Sequence, residues 1–150
     1  GNGRITYRIY KNYPTGKVII CSAIASKLEV PVGCVVVLDN KVIARAHNLR
    51  EKKQNAIAHA EILAIAKACK KIKSWRLDNC DIYITLEPCL MCRGAIRQAR
   101  INNVYFGAYD IKSKDNYSDT NFVGGIMEES CRDLLQDFFK ELRVKKENSK

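Results

Sequence analysis

The sequence predicts a three-layer α/β/α domain built on a mixed central sheet. Predicted strands alternate with predicted helices along most of the chain, and strands separated by a helix pair in parallel. Two further predicted strands are joined by a tight turn, which adds an antiparallel hairpin to the sheet. The length of 150 residues fits one such domain and leaves no room for two.

The predicted elements follow one another without a repeat, a linker or a low-complexity tract. In order, they are an irregular leader over residues 1–14, a helix from Thr15 to about Leu28, a strand from Cys34 to Leu38, a strand from Lys41 to His47, a helix from Ala58 to about Lys71, a strand from Asp81 to Leu86, a helix from Pro88 to about Arg100, a strand from Asn103 to Gly107 and a helix from Met127 to about Arg143. The domain itself is therefore expected to span residues 15–150.

Local signals set the bounds of the first elements. Residues 1–14 are polar and rich in tyrosine, and Thr15 is a good capping residue for the helix expected after them. The segment from Val30 to Gly33 contains a proline and a glycine and ends that helix. The following strand is apolar and β-branched, and Asp39-Asn40 is typical of the tight turn in a hairpin.

Apolar periodicity and proline define the later elements. The helix that begins near Ala58 has apolar residues at helical spacing, namely Ile62, Ile65, Ala66 and Cys69. Pro88 is well suited to the first position of a helix. The last helix has one apolar stripe, formed by Leu134, Leu135, Phe138, Phe139 and Leu142.

The charge balance favours a polyanionic partner. Lysine and arginine number 26 and aspartate and glutamate 16, which gives a net charge of +10. Nucleic acid is a better candidate than an anionic membrane surface, and a solvated basic surface without a partner is the alternative. Arg93, Arg97 and Arg100 are spaced to share one helix face, which would either follow an RNA backbone or remain solvated.

Composition excludes several classes of protein. A hydrophobic fraction of 47% argues against an intrinsically disordered chain. The longest apolar run, Val18 to Ala25, is far shorter than the roughly 18 residues of a membrane span. Seven cysteines cannot all pair, and no secretory signal opens the chain, so a reduced cytoplasmic protein is expected. Five cysteines stand singly and are expected to be small buried hydrophobes: Cys21, Cys34, Cys69, Cys80 and Cys131.

Two short motifs at predicted helix starts point to a metal site. They are His59-Ala60-Glu61 and Pro88-Cys89-Leu90-Met91-Cys92. Two thiolates three residues apart lie on one side of a helical turn, and the positive end of the helix favours their ionised form. One imidazole and two thiolates leave the fourth position of Zn²⁺ open for water, which is the arrangement of a catalytic site.

The carboxylate beside the predicted ligands indicates the reaction type. A structural zinc site needs no such group, whereas hydrolysis needs one that takes and returns protons. Glu61 is therefore predicted to be the catalytic residue and not a ligand. A C-x-x-C pair or a histidine alone is more often structural, but this combination is the signature of zinc-dependent nucleobase deaminases.

Longer segments resemble bacterial tRNA-specific adenosine deaminases. The similar segments are Glu29 to Gly33, Val42 to Asn48, Ala58 to Glu61, Ser74 to Leu77, Tyr83 to Cys92, Val104 to Ala108 with Asp110, and Leu134 to Phe139. The resemblance covers about residues 15–143. Thr-Leu-Glu-Pro-Cys with methionine between the two cysteines separates this family from most cytidine and deoxycytidylate deaminases, and less cleanly from guanine deaminases.

The resemblance implies a homodimer of cytidine-deaminase-like fold that converts the wobble adenosine of a tRNA anticodon to inosine. It also implies that His59, Cys89 and Cys92 hold one Zn²⁺ per chain and that Glu61 transfers protons. Asn48 would hydrogen-bond the extruded nucleotide. Further substrate contacts are implied at Val30, Ala60, Leu86, Asp110 and Phe139. Val30 and Phe139 fit the apolar core equally well.

One region departs from the family. Between Asp110 and Gly125 the chain is shorter than family members, and residues 112–119 replace the family's Gly-Ser-Leu-Met and Asn-His-Arg segments. The family uses this region near its RNA, so deamination of free guanine, cytosine or a nucleoside is an alternative. A zinc protein that only binds RNA is a second alternative, although Glu61 argues against it.

Overall fold

The computed structural model describes residues 4–11, 17–24, 29–110 and 121–148. The strands in these ranges are β1 Arg4–Lys11, β2 Lys17–Ile24, β3 Gly33–Leu38, β4 Lys41–His47, β5 Cys80–Leu86, β6 Asn103–Ala108 and β7 Phe122–Val123. The helices are α1 Arg50–Lys53, α2 Ala60–Ile72, α3 Leu90–Gln98 and α4 Glu128–Asn148. No helix in the described ranges is long and apolar enough to cross a membrane.

The predicted hairpin is confirmed. Strands β3 and β4 pair antiparallel, with Cys34 opposite Ala46. Asp39 and Asn40 lie between them, and their φ angles are 49° and 64°. Positive φ at both central residues is what a type I′ turn requires, and asparagine and aspartate tolerate it better than most residues.

The sheet is mixed, as predicted. Its order is β4-β3-β5-β6-β7, with β3 antiparallel to β4 and β5. The β5–β6 and β6–β7 pairs are parallel. Because β5 and β6 run in the same direction, their carboxyl ends meet at one edge of the sheet, where Leu86 lies beside Ala108.

Helices α2 and α3 pack on one face of the sheet. Ala60, Ala64 and Ala68 of α2 are fully buried there, together with Ile96 of α3. The small alanine side chains let α2 approach the strands closely. The strand residues of this core are Cys34, Val36, Ala44, Ala46, Cys80, Ile82, Ile84, Val104 and Phe106.

Helix α4 packs against β6 on the opposite face, which confirms the three-layer arrangement. Side chains alternate along a strand, so position 107 of β6 points to the same face as Tyr105. A side-chain carbon at Gly107 would lie 2.3 Å from the Cys131 Sγ atom of α4, which shows how closely this helix approaches the strand. Other buried strand residues of this face are Val35, Val37 and Tyr83.

The prediction for the amino-terminal part of the chain is wrong. Residues 17–24, expected within a helix from Thr15 to Leu28, form β2, and residues 4–11 of the expected irregular leader form β1. The two strands pair antiparallel along their whole length. The run Val18-Ile19-Ile20 explains the outcome, because β-branched residues favour strands over helices. Thr15 and Leu28 lie outside the described residues, and the domain limits 15–150 stay a prediction.

The other predicted helices and strands are confirmed, and most of their ends differ from the predicted ones by one or two residues. Helix α4 is longer than predicted and continues to Asn148. Helix α1 and strand β7 were not predicted, because four and two residues are too few to show a period. Among the single cysteines, Cys34, Cys80 and Cys131 are fully buried, as expected, and Cys69 is partly exposed. The side chain of Cys21 lies outside the described part of the chain.

Candidate active site

The predicted metal ligands lie at the amino-terminal ends of two neighbouring helices. His59 precedes α2 and Cys89 precedes α3, both with an extended backbone. The His59 carbonyl accepts the N–H of Leu63, and the Cys89 carbonyl accepts that of Arg93. Cys92 lies in the first turn of α3, on the same side as Cys89. Since α2 and α3 pack side by side, the three side chains meet.

The spacing of the three donor atoms fits a zinc ion. His59 Nδ1 lies 3.7 Å from Cys89 Sγ and 3.6 Å from Cys92 Sγ. A tetrahedral ion bound about 2.1 Å from nitrogen and about 2.3 Å from sulfur separates those two atoms by about 3.6 Å. Within the part of the chain that the structure describes, this is the one group of three or more metal-ligating side chains positioned to hold an ion.

The interaction between Cys89 and Cys92 shifts the pKa values of the two thiols in opposite directions. A hydrogen bond from Cys92 lowers the pKa of Cys89 to about 5, so Cys89 is a thiolate at neutral pH. The same hydrogen bond, together with burial, raises the pKa of Cys92. A bound cation would displace this remaining proton, because thiolates and not thiols are metal ligands.

Glu61 lies beside the ligand cluster in the first turn of α2. Its side chain is only 5% exposed. Burial raises the pKa of its carboxyl group, and a hydrogen bond with Cys92 opposes that shift. This contact places a buried carboxyl group next to the ligand atoms without making it one of the three ligands. The arrangement suits a group that accepts and donates protons.

A cavity of about 190 Å³ adjoins the cluster. Its wall is formed by Val30, Val32, Asn48, Arg50, His59, Ala60, Glu61, Leu86, Glu87, Cys89 and Asp110. Five of the six predicted substrate contacts are therefore brought together: Val30, Asn48, Ala60, Leu86 and Asp110. Their roles toward a substrate stay predictions.

Hydrogen bonds of its side chain and of its backbone hold Asn48 at the cavity. Its Nδ2 donates to the Val30 carbonyl at 3.4 Å, and its Oδ1 accepts the Arg50 N–H at 3.2 Å. The backbone N–H of Asn48 donates to the Val32 carbonyl at 3.0 Å. A side-chain amide has two donor hydrogens and two acceptor lone pairs, so Asn48 retains capacity to bind a ligand.

Phe139 does not line this cavity. It lies on α4 and is 45% exposed, with its ring edge-to-face with that of Phe138 at a centroid distance of 5.3 Å. The apolar stripe of α4 is buried at Leu134, Leu135 and Phe138. Phe139 lies beside the stripe and not within the core. Its predicted contact with a flanking nucleotide stays a prediction.

Three cavity residues were not predicted: Val32, Arg50 and Glu87. Val32 lies two residues after Val30, and Glu87 directly precedes the Pro88 of the ligand motif. These sequence positions could have identified both as cavity residues. Arg50 is the first residue of α1, a helix that no sequence pattern indicated.

The prediction that three arginines form one exposed face of α3 is wrong. Arg97 and Arg100 are exposed, but Arg93 is only 6% exposed. Its guanidinium group pairs with the Glu87 carboxylate, with 2.7 Å between Nη2 and Oε2. Helical spacing predicts which residues share a helix face. It does not predict that one residue of the face, here Arg93, is buried against the end of a strand.

The chain is similar to known deaminases along most of its length. A family model of MafB19-like deaminases matches residues 17–149. The tRNA-specific adenosine deaminase of Bacillus subtilis is 46% identical over an alignment of 132 positions, and this alignment covers 80% of this chain and 82% of the relative. The similarity therefore includes the ligand motifs, the cavity and α4.

Two solved structures have the same fold. One, from a study of A-to-I editing by tRNA:A34 deaminases at the wobble position of transfer RNA, aligns with a TM-score of 0.65 at 37% identity, covering 71% of this chain and 86% of that chain. The other is a guanine deaminase from Bacillus subtilis, with a TM-score of 0.52 at 43% identity, covering 53% of this chain and 50% of that chain. The predicted cytidine-deaminase-like architecture is confirmed.

Proposed function

The chain belongs to the MafB19-like deaminase family, and we propose that it converts the wobble adenosine of a tRNA anticodon to inosine, with release of ammonia. One observation carries the proposal. The buried carboxyl group of Glu61 and a His–Cys–Cys cluster with zinc spacing lie together at one cavity. The tRNA-specific adenosine deaminases to which the chain is similar supply the substrate class.

His59, Cys89 and Cys92 would hold one Zn²⁺ per chain through Nδ1 and the two Sγ atoms. Bound there, zinc supplies a Lewis acid that makes water nucleophilic at neutral pH. The two thiolates offset the charge of the ion. Three protein ligands are the number typical of catalytic zinc sites, whereas closed structural sites have four.

Glu61 would carry the protons. Its carboxylate accepts one proton from the water that attacks C6 of adenine and donates it to N1 of the ring. It then transfers the second proton of that water to the departing amino group, which leaves as ammonia. The water oxygen becomes the C6 carbonyl of inosine, so atoms and charge balance. A positioned acid–base group of this kind contributes about 10²–10⁴-fold to the rate.

The cavity walls would bind the extruded base. Val30 and Leu86 offer apolar surface to the two faces of a purine, and Ala60 leaves room because its side chain is small. Asn48 supplies the hydrogen bonds. An anticodon-loop base costs little to extrude because it is unpaired, whereas a base within a duplex costs more.

Contacts in the cavity wall and outside the cavity would bind the rest of the anticodon loop. Asp110 lies in the cavity wall at the end of β6, close to where flanking nucleotides would pass. Phe139 offers an exposed aromatic surface on which a flanking base stacks. The net charge of +10 draws an RNA to the protein, whereas a free base needs no such attraction.

We extend the proposal to a cytoplasmic homodimer. Ile57, Leu90 and Met91 are exposed by 55%, 55% and 36%, and each lies within two residues of a metal ligand. Exposed apolar side chains near a functional site are typical of a protein interaction surface. A second copy that covered them would also shield the zinc site from bulk water.

Deamination of free guanine is the second candidate. It is favoured by the similarity to a guanine deaminase of known structure, although that similarity covers only about half of each chain. Against it stand the positive charge and the longer similarity to tRNA-specific enzymes. A protein that binds RNA without catalysis is disfavoured, because binding alone needs no buried carboxyl group beside the ligands.

Substrate comparison tests the proposal. The purified protein is incubated with an anticodon stem-loop carrying a wobble adenosine and, separately, with adenosine, guanine and cytidine, and ammonia is measured. We expect ammonia from the stem-loop, with inosine at the wobble position by nucleoside mass spectrometry. Ammonia from guanine with none from the stem-loop would overturn the tRNA proposal and leave zinc-dependent deamination intact.

A further inference from the structure

We propose that Glu87 and Arg93 form a brace that positions Asp110 at the cavity, so that this ion pair sets the affinity for the RNA and not the rate of the chemical step. The inference rests on the proposed function for its substrate. Its structural part, that Glu87 holds the backbone of Asp110 in place, is testable without any substrate.

Glu87 joins the ends of two parallel strands. It follows β5, and its backbone N–H donates to the Ala108 carbonyl at the end of β6, at 2.8 Å. Its side-chain Oε1 accepts the backbone N–H of Asp110 at 3.1 Å. Residues 108–110 are therefore attached twice to a single residue, and both attachments lie where the chain leaves the sheet and enters the cavity wall.

Arg93 holds the other carboxylate oxygen of Glu87. Its Nη2 lies 2.7 Å from Glu87 Oε2, and its Nε donates to the Pro88 carbonyl at 3.1 Å. The guanidinium carbon lies 4.6 Å from the centre of the Phe122 ring, within cation–π range. Charge-assisted hydrogen bonds in a buried site are strong and directional, so Glu87 is confined to one orientation.

The brace connects the metal-binding turn to the cavity rim. Pro88 immediately precedes Cys89, and Arg93 immediately follows Cys92, whereas Asp110 and Phe122 belong to the segments that flank the shortened β6–β7 connection. Glu87 and Arg93 are not among the predicted zinc ligands. The hydrogen bond between Glu61 and Cys92 involves neither of them. Loosening the brace should therefore displace Asp110 and leave the proton-transfer geometry in place.

Glu87→Gln is the test variant. Glutamine keeps the size of the side chain but replaces one acceptor oxygen by an amide donor, which opposes either Arg93 or the N–H of Asp110. Asp78→Asn is the matched control, because Asp78 pairs with Arg76 at 2.8 Å on the exposed surface. Arg93→Lys is the second brace variant, since one ammonium group cannot bond both the Pro88 carbonyl and Glu87 in the geometry of a guanidinium.

Hydrogen exchange tests the structural part on the zinc-loaded protein without RNA. We expect amide exchange in the peptide containing residues 108–110 to be about 10-fold faster in Glu87→Gln, to increase less in Arg93→Lys, and not to change in Asp78→Asn. Unchanged exchange in both brace variants would overturn the proposal. This result does not depend on which substrate the enzyme uses.

Kinetics with the stem-loop test the functional part. Glu87→Gln should raise KM about 10-fold, with kcat changed less than about 3-fold and one zinc per chain retained. In an Asp110→Ala background, where the positioned side chain is already gone, Glu87→Gln should change KM by less than about 2-fold. Additive effects on KM, or loss of zinc from Glu87→Gln, would refute positioning through Asp110. A wild-type protein inactive on the stem-loop would instead refute the proposed function.

Discussion

Gly107→Ala should destabilise the protein because β6 and α4 approach each other too closely for a side chain. A Cβ atom at this position would lie 2.3 Å from Cys131 Sγ and 2.8 Å from the Thr85 carbonyl oxygen. Cys131 is fully buried and Thr85 O belongs to the central strand β5, so neither atom can move away cheaply. Overpacking of this kind costs about 1–3 kcal/mol of unfolding free energy.

For a chain of this length, that loss corresponds to a fall in Tm of about 3–10 °C. Thermal unfolding followed by circular dichroism measures it. Gly94→Ala is the matched control, since Gly94 lies in α3 and nothing comes within 4 Å of the added carbon. Alanine is the better helix former there and should stabilise the protein by about 0.4–1 kcal/mol.

Both substitutions add the same methyl group. The opposite signs expected for the change in unfolding free energy therefore test the packing around each glycine. The Gly107→Ala, Cys131→Ala double variant should recover part of the lost stability, because it removes the closest of the clashing atoms. An unchanged Tm for Gly107→Ala would refute the position of α4 on β6. Destabilisation by Gly94→Ala would refute the environment assigned to α3.

Three further predictions concern the site. Cys92→Ser should lower the zinc content measured by atomic emission from about one ion per chain, whereas Cys34→Ser should leave it unchanged; equal loss in both would show that the ligands are misassigned. Asn48→Ala should reduce turnover of the stem-loop with zinc retained, since it removes hydrogen bonds to the extruded base, and unchanged kinetics would exclude that contact. Stem-loop affinity, measured by fluorescence anisotropy, should fall steeply between about 50 and 200 mM salt, and a flat profile would contradict phosphate contacts.

The parts of the fold that depend on local signals are readable from the sequence. Asp39-Asn40 predicts the hairpin because few other residues accept positive φ at both positions. The metal ligands are also predictable, because His59 and Cys89 each stand at a helix start and Cys92 completes one turn. Pairing between these helices follows from the topology, since both pack on one face of the sheet.

The remainder depends on contacts between distant residues. Residues 17–24 were expected to form a helix, but they pair with residues 4–11 as a strand. A prediction from local sequence does not take account of such a pairing partner. The spacing of Arg93 predicts a surface residue. In the structure its side chain is buried, because it pairs with Glu87 and packs on the Phe122 ring. The attachment of Asp110 to Glu87 spans 23 positions and exists only because β5 and β6 end side by side.

The most direct test of the central claim compares wild-type protein with Glu61→Gln in single-turnover deamination of the anticodon stem-loop. Glutamine keeps the size of the buried side chain and removes its acid–base capacity. We predict about one zinc per chain in both proteins and inosine formation slower by about 10²–10⁴-fold in the variant. Inosine formed at equal rates by the two proteins would contradict the role of Glu61 as the proton carrier.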